Sequence, residues 1–227
     1  MPLERKFEDV NFKLHFVNAD GSKSKENVTQ QDIDDFCNDF NIDSYAPGRI
    51  STLFKFEVLS LSKQGINPKI ILEEISNLES AVSISRTKPE TVFNHPPLKG
   101  LHHKHFLPNS VSSIAINMDN GAGGDKGRRK IIENLIKESG ETVFTEDLIK
   151  KIIKSVTTEP FKARSDQNKL TGEWIIYLPY QDQNYYLSAC KHSTNEDPRD
   201  EKIYSNIDTV VFREWPELKT HLQAINS

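Results

Sequence analysis

His102, His103 and His105 enclose Lys104, and His95 precedes them, so four of the seven histidines fall within eleven residues. Imidazole ligates metals and transfers protons near neutral pH, and the spacing allows either chemistry. A zinc ion needs three or four converging ligands. His102 and His105 share a face if the segment is helical, and His103 and His105 share one if it is a strand. The metal set on that reading is His102, His105 and His95, with His192 as another source of a ligand. Against it, the chain has no HExxH and no CxxC, and residues 91–118 hold no acidic side chain. A site that works without a cofactor is therefore the expectation.

Proton transfer on a phosphodiester needs a base for the 2′-hydroxyl, an acid for the leaving oxygen and a cation for the developing charge. His102, His103, His105 and Lys104 offer these groups in one segment, and Lys191-His192 offers a second pair. Tyr177 and Tyr185 are expected to stack on single-stranded bases, as aromatic side chains do in RNA-binding proteins. The alternative without function is that the Pro- and Leu-flanked histidines wedge a connector against the core. Adjacent residues of a strand point to opposite faces, so His102 and His103 do not both join one site there.

Asn120-Gly121-Ala122-Gly123-Gly124-Asp125-Lys126-Gly127-Arg128-Arg129 is the second candidate. Between a strand and a helix, such a loop presents amides to an anion. Gly123, Gly124, Lys126, Arg128 and Arg129 are the expected contacts to phosphate or RNA. The nucleotide-binding patterns are incomplete: GxxxxGK[ST] is missing, and GxGxxG fails at Lys126.

The elements that must position these groups can be read from periodicity. Val10, Phe12, Leu14 and Phe16 alternate as a half-buried strand. Asn18-Ala19-Asp20-Gly21 reads as a turn into a second strand ending near Val28. Thr29 caps a helix over 30–40, with Ile33, Phe36, Cys37 and Phe40 on one face. Further helices are expected over 49–63 and from Asn67-Pro68 onward. Residues 85–110 form a Pro- and His-rich connection. The spacing then predicts a strand over 111–118, helices over 128–139 and after Thr145, and a hairpin over 173–190. A mixed segment from Asp200 to about Val211 and a helix from Pro216 close the chain. The fold class is α+β. A mainly helical region 1–84 with a short hairpin leads through the connection 85–110 to a region 111–227, where helices lie on a small, mostly antiparallel sheet. The whole can pack as one domain.

A chain of 227 residues buries a core without disulfides, and its net charge of −4 argues against a uniformly basic nucleic-acid coat. Cys37 and Cys190 read as reduced thiols. No apolar run reaches membrane-spanning length, so a cytoplasmic protein without membrane contact is expected. The combination of α+β layout with His, Lys and Tyr groups resembles compact RNase toxins at the level of fold alone. The leading expectation is a metal-independent, RNA-acting nuclease or toxin-like enzyme. The alternatives are an immunity or regulatory protein that docks a partner on the acidic helical face of Asp32, Asp34, Asp35 and Asp39, and a His-ligated zinc protein.

Overall fold

Residues 2–5, 12–17, 22–80, 84–108, 110–192 and 198–227 are described by the computed structural model. The turn expected at 18–21 lies outside them. Strands β1 (Phe12–Val17) and β2 (Lys23–Val28) pair antiparallel, Phe12 opposite Val28. Thr29 then starts α1 (Gln30–Phe40) through a reciprocal capping box: the Asp32 amide donates to Thr29 Oγ1 at 3.2 Å, and the Thr29 amide donates to Asp32 Oδ2 at 2.8 Å. Ser51 caps α2 (Thr52–Lys63), and Asn67 caps α3 (Pro68–Glu79), whose first position is proline.

Four antiparallel strands form the larger sheet, in the order β3 (Thr91–Val92), β4 (His102–Phe106), β5 (Glu173–Tyr180) and β6 (Gln183–Cys190). The β5–β6 turn is Gln181-Asp182, with φ of 50° and 59°. Two successive positive φ values give the twist that a tight hairpin needs. Pro179 lies in a central strand, yet β4 begins at His102, opposite Tyr177, so no ladder on that side requires an amide at 179. One face of the sheet packs Phe106, Ile175, Tyr177 and Tyr186 with Phe54, Val58, Ile71 and Ile75 of α2 and α3. The other packs Trp174, Ile176, Leu178, Tyr185 and Leu187 with the C-terminal helices.

The expected strand over 111–118 is instead the start of a helix. The helices here are α4 (Val111–Ala122), α5 (Gly124–Ser139), α6 (Glu146–Val156) and α7 (Thr158–Asp166). Ser110 caps α4 by accepting from the Ser113 amide at 3.1 Å. The alternating Ile114 and Ile116 misled the sequence reading because both are exposed in the helix. The face that α4 buries carries small and polar residues instead, Ser113 and Asn117. Asn117 is fully buried; its Nδ2 donates to the carbonyls of Ser113 (2.9 Å) and Thr171 (2.7 Å), and its Oδ1 accepts from the Thr171 amide (2.9 Å). Asn117→Ala is expected to destabilise this region by roughly 1–3 kcal/mol for each buried group left without a partner. Hydrogen exchange at the Thr171 amide would report it, and unchanged protection would refute the assignment.

After β6, α8 (Asp200–Asn206) runs through a π-helical turn, Ile207–Val211, into α9 (Phe212–Glu214), and α10 (Pro216–Asn226) follows. The chain is α+β. It divides into two compact units, one of residues 1–83, 90–106 and 173–227, the other of 84–89 and 107–172. Residues 90–106 of the Pro- and His-rich segment thus belong with the sheet, as do residues 173–227.

Candidate functional site

Alternation along β4 sorts the histidine cluster onto two faces. His103 and His105 point one way, and His102 and Lys104 the other. His105 pairs with Trp174 across the ladder, and His102 pairs with Tyr177. His102 and His105 therefore cannot ligate one ion, and the His95/His102/His105 metal set falls with them. Among the described residues no group of three or more His, Cys, Asp or Glu side chains is arranged to hold a metal.

On the first face the rings form a continuous array. Phe93 lies 4.3 Å from His103, His103 lies 5.2 Å from Trp174, and Trp174 lies 4.2 Å from His192, all between ring centroids. His105 stacks on His192 at 5.6 Å with 17° between ring planes, and it stands 5.5 Å from His103. His192 reaches the array because it follows directly on β6, and its amide donates to the Glu173 carboxylate at the start of β5. His103 Nε2 makes a 3.0 Å hydrogen bond with Thr91 Oγ1. His105 is buried, His103 half-buried, and His192 and Lys191 exposed. His103, His105, His192 and Lys191 are candidates from the sequence, and the structure brings the three histidines together.

The opposite face corrects several expected roles. Lys104 is 3% exposed, and its ammonium lies 3.8 Å from the buried Glu74 carboxylate. Burial lowers its pKa, and Glu74 and Glu90 oppose that. It is a core charge and cannot meet a phosphorane on the His103 face. Burial likewise lowers the pKa of His102, opposed by Glu90. Tyr177 and Tyr185 are buried, at 3% and 1% exposure, so neither is a platform for bases. The Tyr185 hydroxyl instead accepts from the Leu3 amide at 2.8 Å.

The glycine-rich segment is a helix–helix corner, not a strand-to-helix loop. Gly123 ends α4 with φ 82°, and Gly124 begins α5 with φ 67°. A Cβ on Gly121 would lie 2.7 Å from the Pro160 carbonyl oxygen, and one on Gly127 would strike that of Ala122. Close helix contact thus accounts for these two glycines. Arg128 pairs with Asp119 and Asp125, and Arg129 with Asp125 at 3.0 Å. Their charge is met locally, which removes the reason to regard the segment as an anion cradle. Lys126 is exposed.

A residue that sequence reasoning passed over is Glu57, the one acidic residue of α2. It lines a cavity of about 340 Å³ together with Cys190, Lys13, Lys191, Arg199 and Lys202. Its Oε2 accepts from Ser188 Oγ at 2.7 Å and from the Ala189 amide at 2.8 Å. Burial pushes its pKa up to about 7, although both hydrogen bonds pull it down. The available signal was a lone carboxylate among the apolar positions Leu53, Phe54, Val58 and Leu61. Neither thiol is activated: burial pushes Cys37 up to about 11 and Cys190 well above its ordinary value.

The raised pKa of Glu57 has a definite sign for stability. The folded state holds the proton up to about pH 7, and the unfolded state releases it near 4.5. Stability from this group is fully present below about 4.5 and is lost as pH rises toward 7. At about 1.4 kcal/mol per pH unit, Glu57→Gln is expected to gain about 3 kcal/mol relative to the wild type between pH 4.5 and pH 8. Parallel urea-unfolding stabilities of the two proteins over that range would refute it.

No protein-family model, no curated protein and no solved structure matches the chain.

Proposed function

We propose that the face carrying His103, His105 and His192 is an acid–base site for phosphodiester transfer on RNA, working without a metal ion. The observation that carries this reading is the stacking of His105 on His192, two imidazoles 87 positions apart in sequence. Two neighbouring imidazoles favour having one protonated and one neutral, since like charges at that separation repel. That is the state in which a base and an acid coexist near pH 7. The neutral ring takes the 2′-hydroxyl proton, O2′ attacks phosphorus, and the protonated ring gives its proton to the departing 5′ oxygen. Exposed Lys191 supplies positive charge beside His192. Thr91 fixes the His103 ring, which borders both His105 and Trp174.

The test is incubation of the purified chain with mixed-sequence RNA in the presence of a chelator, with analysis of the termini. Cleavage leaving 2′,3′-cyclic phosphates is the expected result. Intact RNA, or cleavage restored only by added divalent metal, overturns the reading. A cytoplasmic location suits an enzyme with this substrate. No helix among the described residues is long and apolar enough to cross a membrane.

A second reading, docking of a basic protein partner, draws on α1. Ile33 and Cys37 face inward, and Asp34, Asp35 and Asp39 are exposed. Asp32 leaves that set because its carboxylate is committed to the capping box.

A further inference from the structure

We propose that the cavity between α2, β6 and α8 binds a small aromatic organic anion of the mononucleotide class, its ring against Phe56 and Glu57 and its phosphate at the lysine rim. The inference does not rest on the histidine reading, and Lys191, which lines this cavity as well as flanking His192, is not used in it.

The cavity holds about 340 Å³, at the lower end of what small-molecule sites offer. Its lining separates into three parts. Leu14, Phe56 and Ile203 give an apolar wall, and Phe56 is held flat by stacking on Phe12 at 4.0 Å and 10°. Lys13 of β1 and the pair Arg199 and Lys202 at the start of α8 come from two distant stretches of chain and place positive charge along the lining. Among the described residues Glu57 is the one acidic side chain in the lining.

The hydrogen bonds of Glu57 decide what it can recognise. Both the Ser188 hydroxyl and the Ala189 amide donate to Oε2. Among the described residues no donor reaches Oε1. With Oε2 accepting twice, Oε1 carries the carboxyl proton below about pH 7 and is bare above it. It pairs with a ring acceptor in the first state and with an N–H or O–H donor in the second, and a bound ligand offering neither leaves it unpaired. A cation-lined opening selects an anion. An aromatic wall adds a preference for a flat ring. A ligand with all three properties carries a phosphate at one end and a heterocycle with ring donors and acceptors at the other. Simple phosphate has no ring, and a free nucleoside has no charge for the rim.

The test is calorimetric titration of the full chain with AMP, GMP, CMP and UMP, alongside ribose 5-phosphate and the parent nucleosides. Alkylation of Cys190 reports occupancy, because that thiol lines the cavity whereas Cys37 on α1 does not. The expected result is that at least one mononucleotide binds and slows alkylation of Cys190 by about fivefold or more, with Cys37 unaffected. Lys13→Glu combined with Lys202→Glu should weaken that binding by about tenfold or more. Four outcomes overturn the proposal: no binding by any mononucleotide, binding that leaves Cys190 unprotected, equal affinity for ribose 5-phosphate, or equal affinity for the nucleoside. Cys190 protection decides the matter even if the double variant fails to fold. Failure of RNA cleavage would leave every one of these readouts in place.

Discussion

Alanine at His192 is expected to lower RNA cleavage by about 10²–10⁴-fold, the usual contribution of a positioned proton-transfer group. The ring is exposed and follows the end of β6, and it meets the apolar clusters of the sheet at Trp174, which keeps its contact with Phe93. Loss should fall on kcat, because a proton-transfer group acts in the transition state and not in ground-state binding. His105→Asn should give a loss of similar size while keeping a polar side chain at the buried position. His102→Ala is the control: its ring lies on the opposite sheet face beside Tyr177, and its activity should match the wild type. Full activity in His192→Ala, with thermal unfolding unchanged, would end the proposal. An equal loss in His102→Ala would point to damage to the sheet and not to chemistry.

Glu214→Ala is the stability change of largest expected size, about 3–5 kcal/mol, as for other buried ion pairs that lose one partner. Glu214 is 5% exposed. Its carboxylate lies 2.6 Å from Arg5 Nε, and it accepts from the Thr52 amide at 3.0 Å and from Thr52 Oγ1 at 3.1 Å. One side chain thus ties an N-terminal residue, the first turn of α2 and the segment before α10. Burial raises its pKa even though Arg5 and Thr52 pull it down, so desolvation outweighs the attraction. The cost of the alanine variant therefore comes from the groups that lose their acceptor: the Arg5 guanidinium, left with the Ile50 carbonyl and the Trp215 ring, and the Thr52 amide. Glu214→Gln keeps an acceptor for Thr52 and should recover part of the loss. Denaturant midpoints for the two variants give the comparison. Equal midpoints for Glu214→Ala and the wild type would refute the assigned role.

Periodicity was a sound guide wherever burial followed hydrophobicity. The α1 stripe of Ile33 and Cys37, the Asn67-Pro68 helix start and the aromatic hairpin at 173–190 all formed as read. It failed in α4, whose buried face is made of Ser113 and Asn117, while Ile114 and Ile116 point outward. A side-chain amide that pairs with distant backbone leaves no periodic trace, so the Asn117–Thr171 bonds could not be read in advance. The histidine segment was legible as a cluster, and strand alternation then divides it, but which half meets His192 depends on the β4–β5–β6 register. Tyr177 and Tyr185 looked like exposed platforms because aromatic residues in a hairpin do not reveal which face is covered. Glu57 was invisible for a related reason. Its environment comes from Ser188 and Ala189, about 130 positions away.

The pairing of β4 with β5 bears on how the chain acquires its shape during synthesis. These neighbours in the sheet are separated by 66 residues, nearly all of the second unit. Helices α4 to α7 are contiguous and rich in local contacts, the property that favours early and rapid folding. On a ribosome they would emerge complete while β4 has only β3 beside it and still lacks β5. The sheet, and with it the meeting of His105 and His192, then has to wait for the hairpin that follows. A translational pause inside α4–α7 would prolong the exposure of an unpaired β4 edge, the kind of edge that recruits other chains.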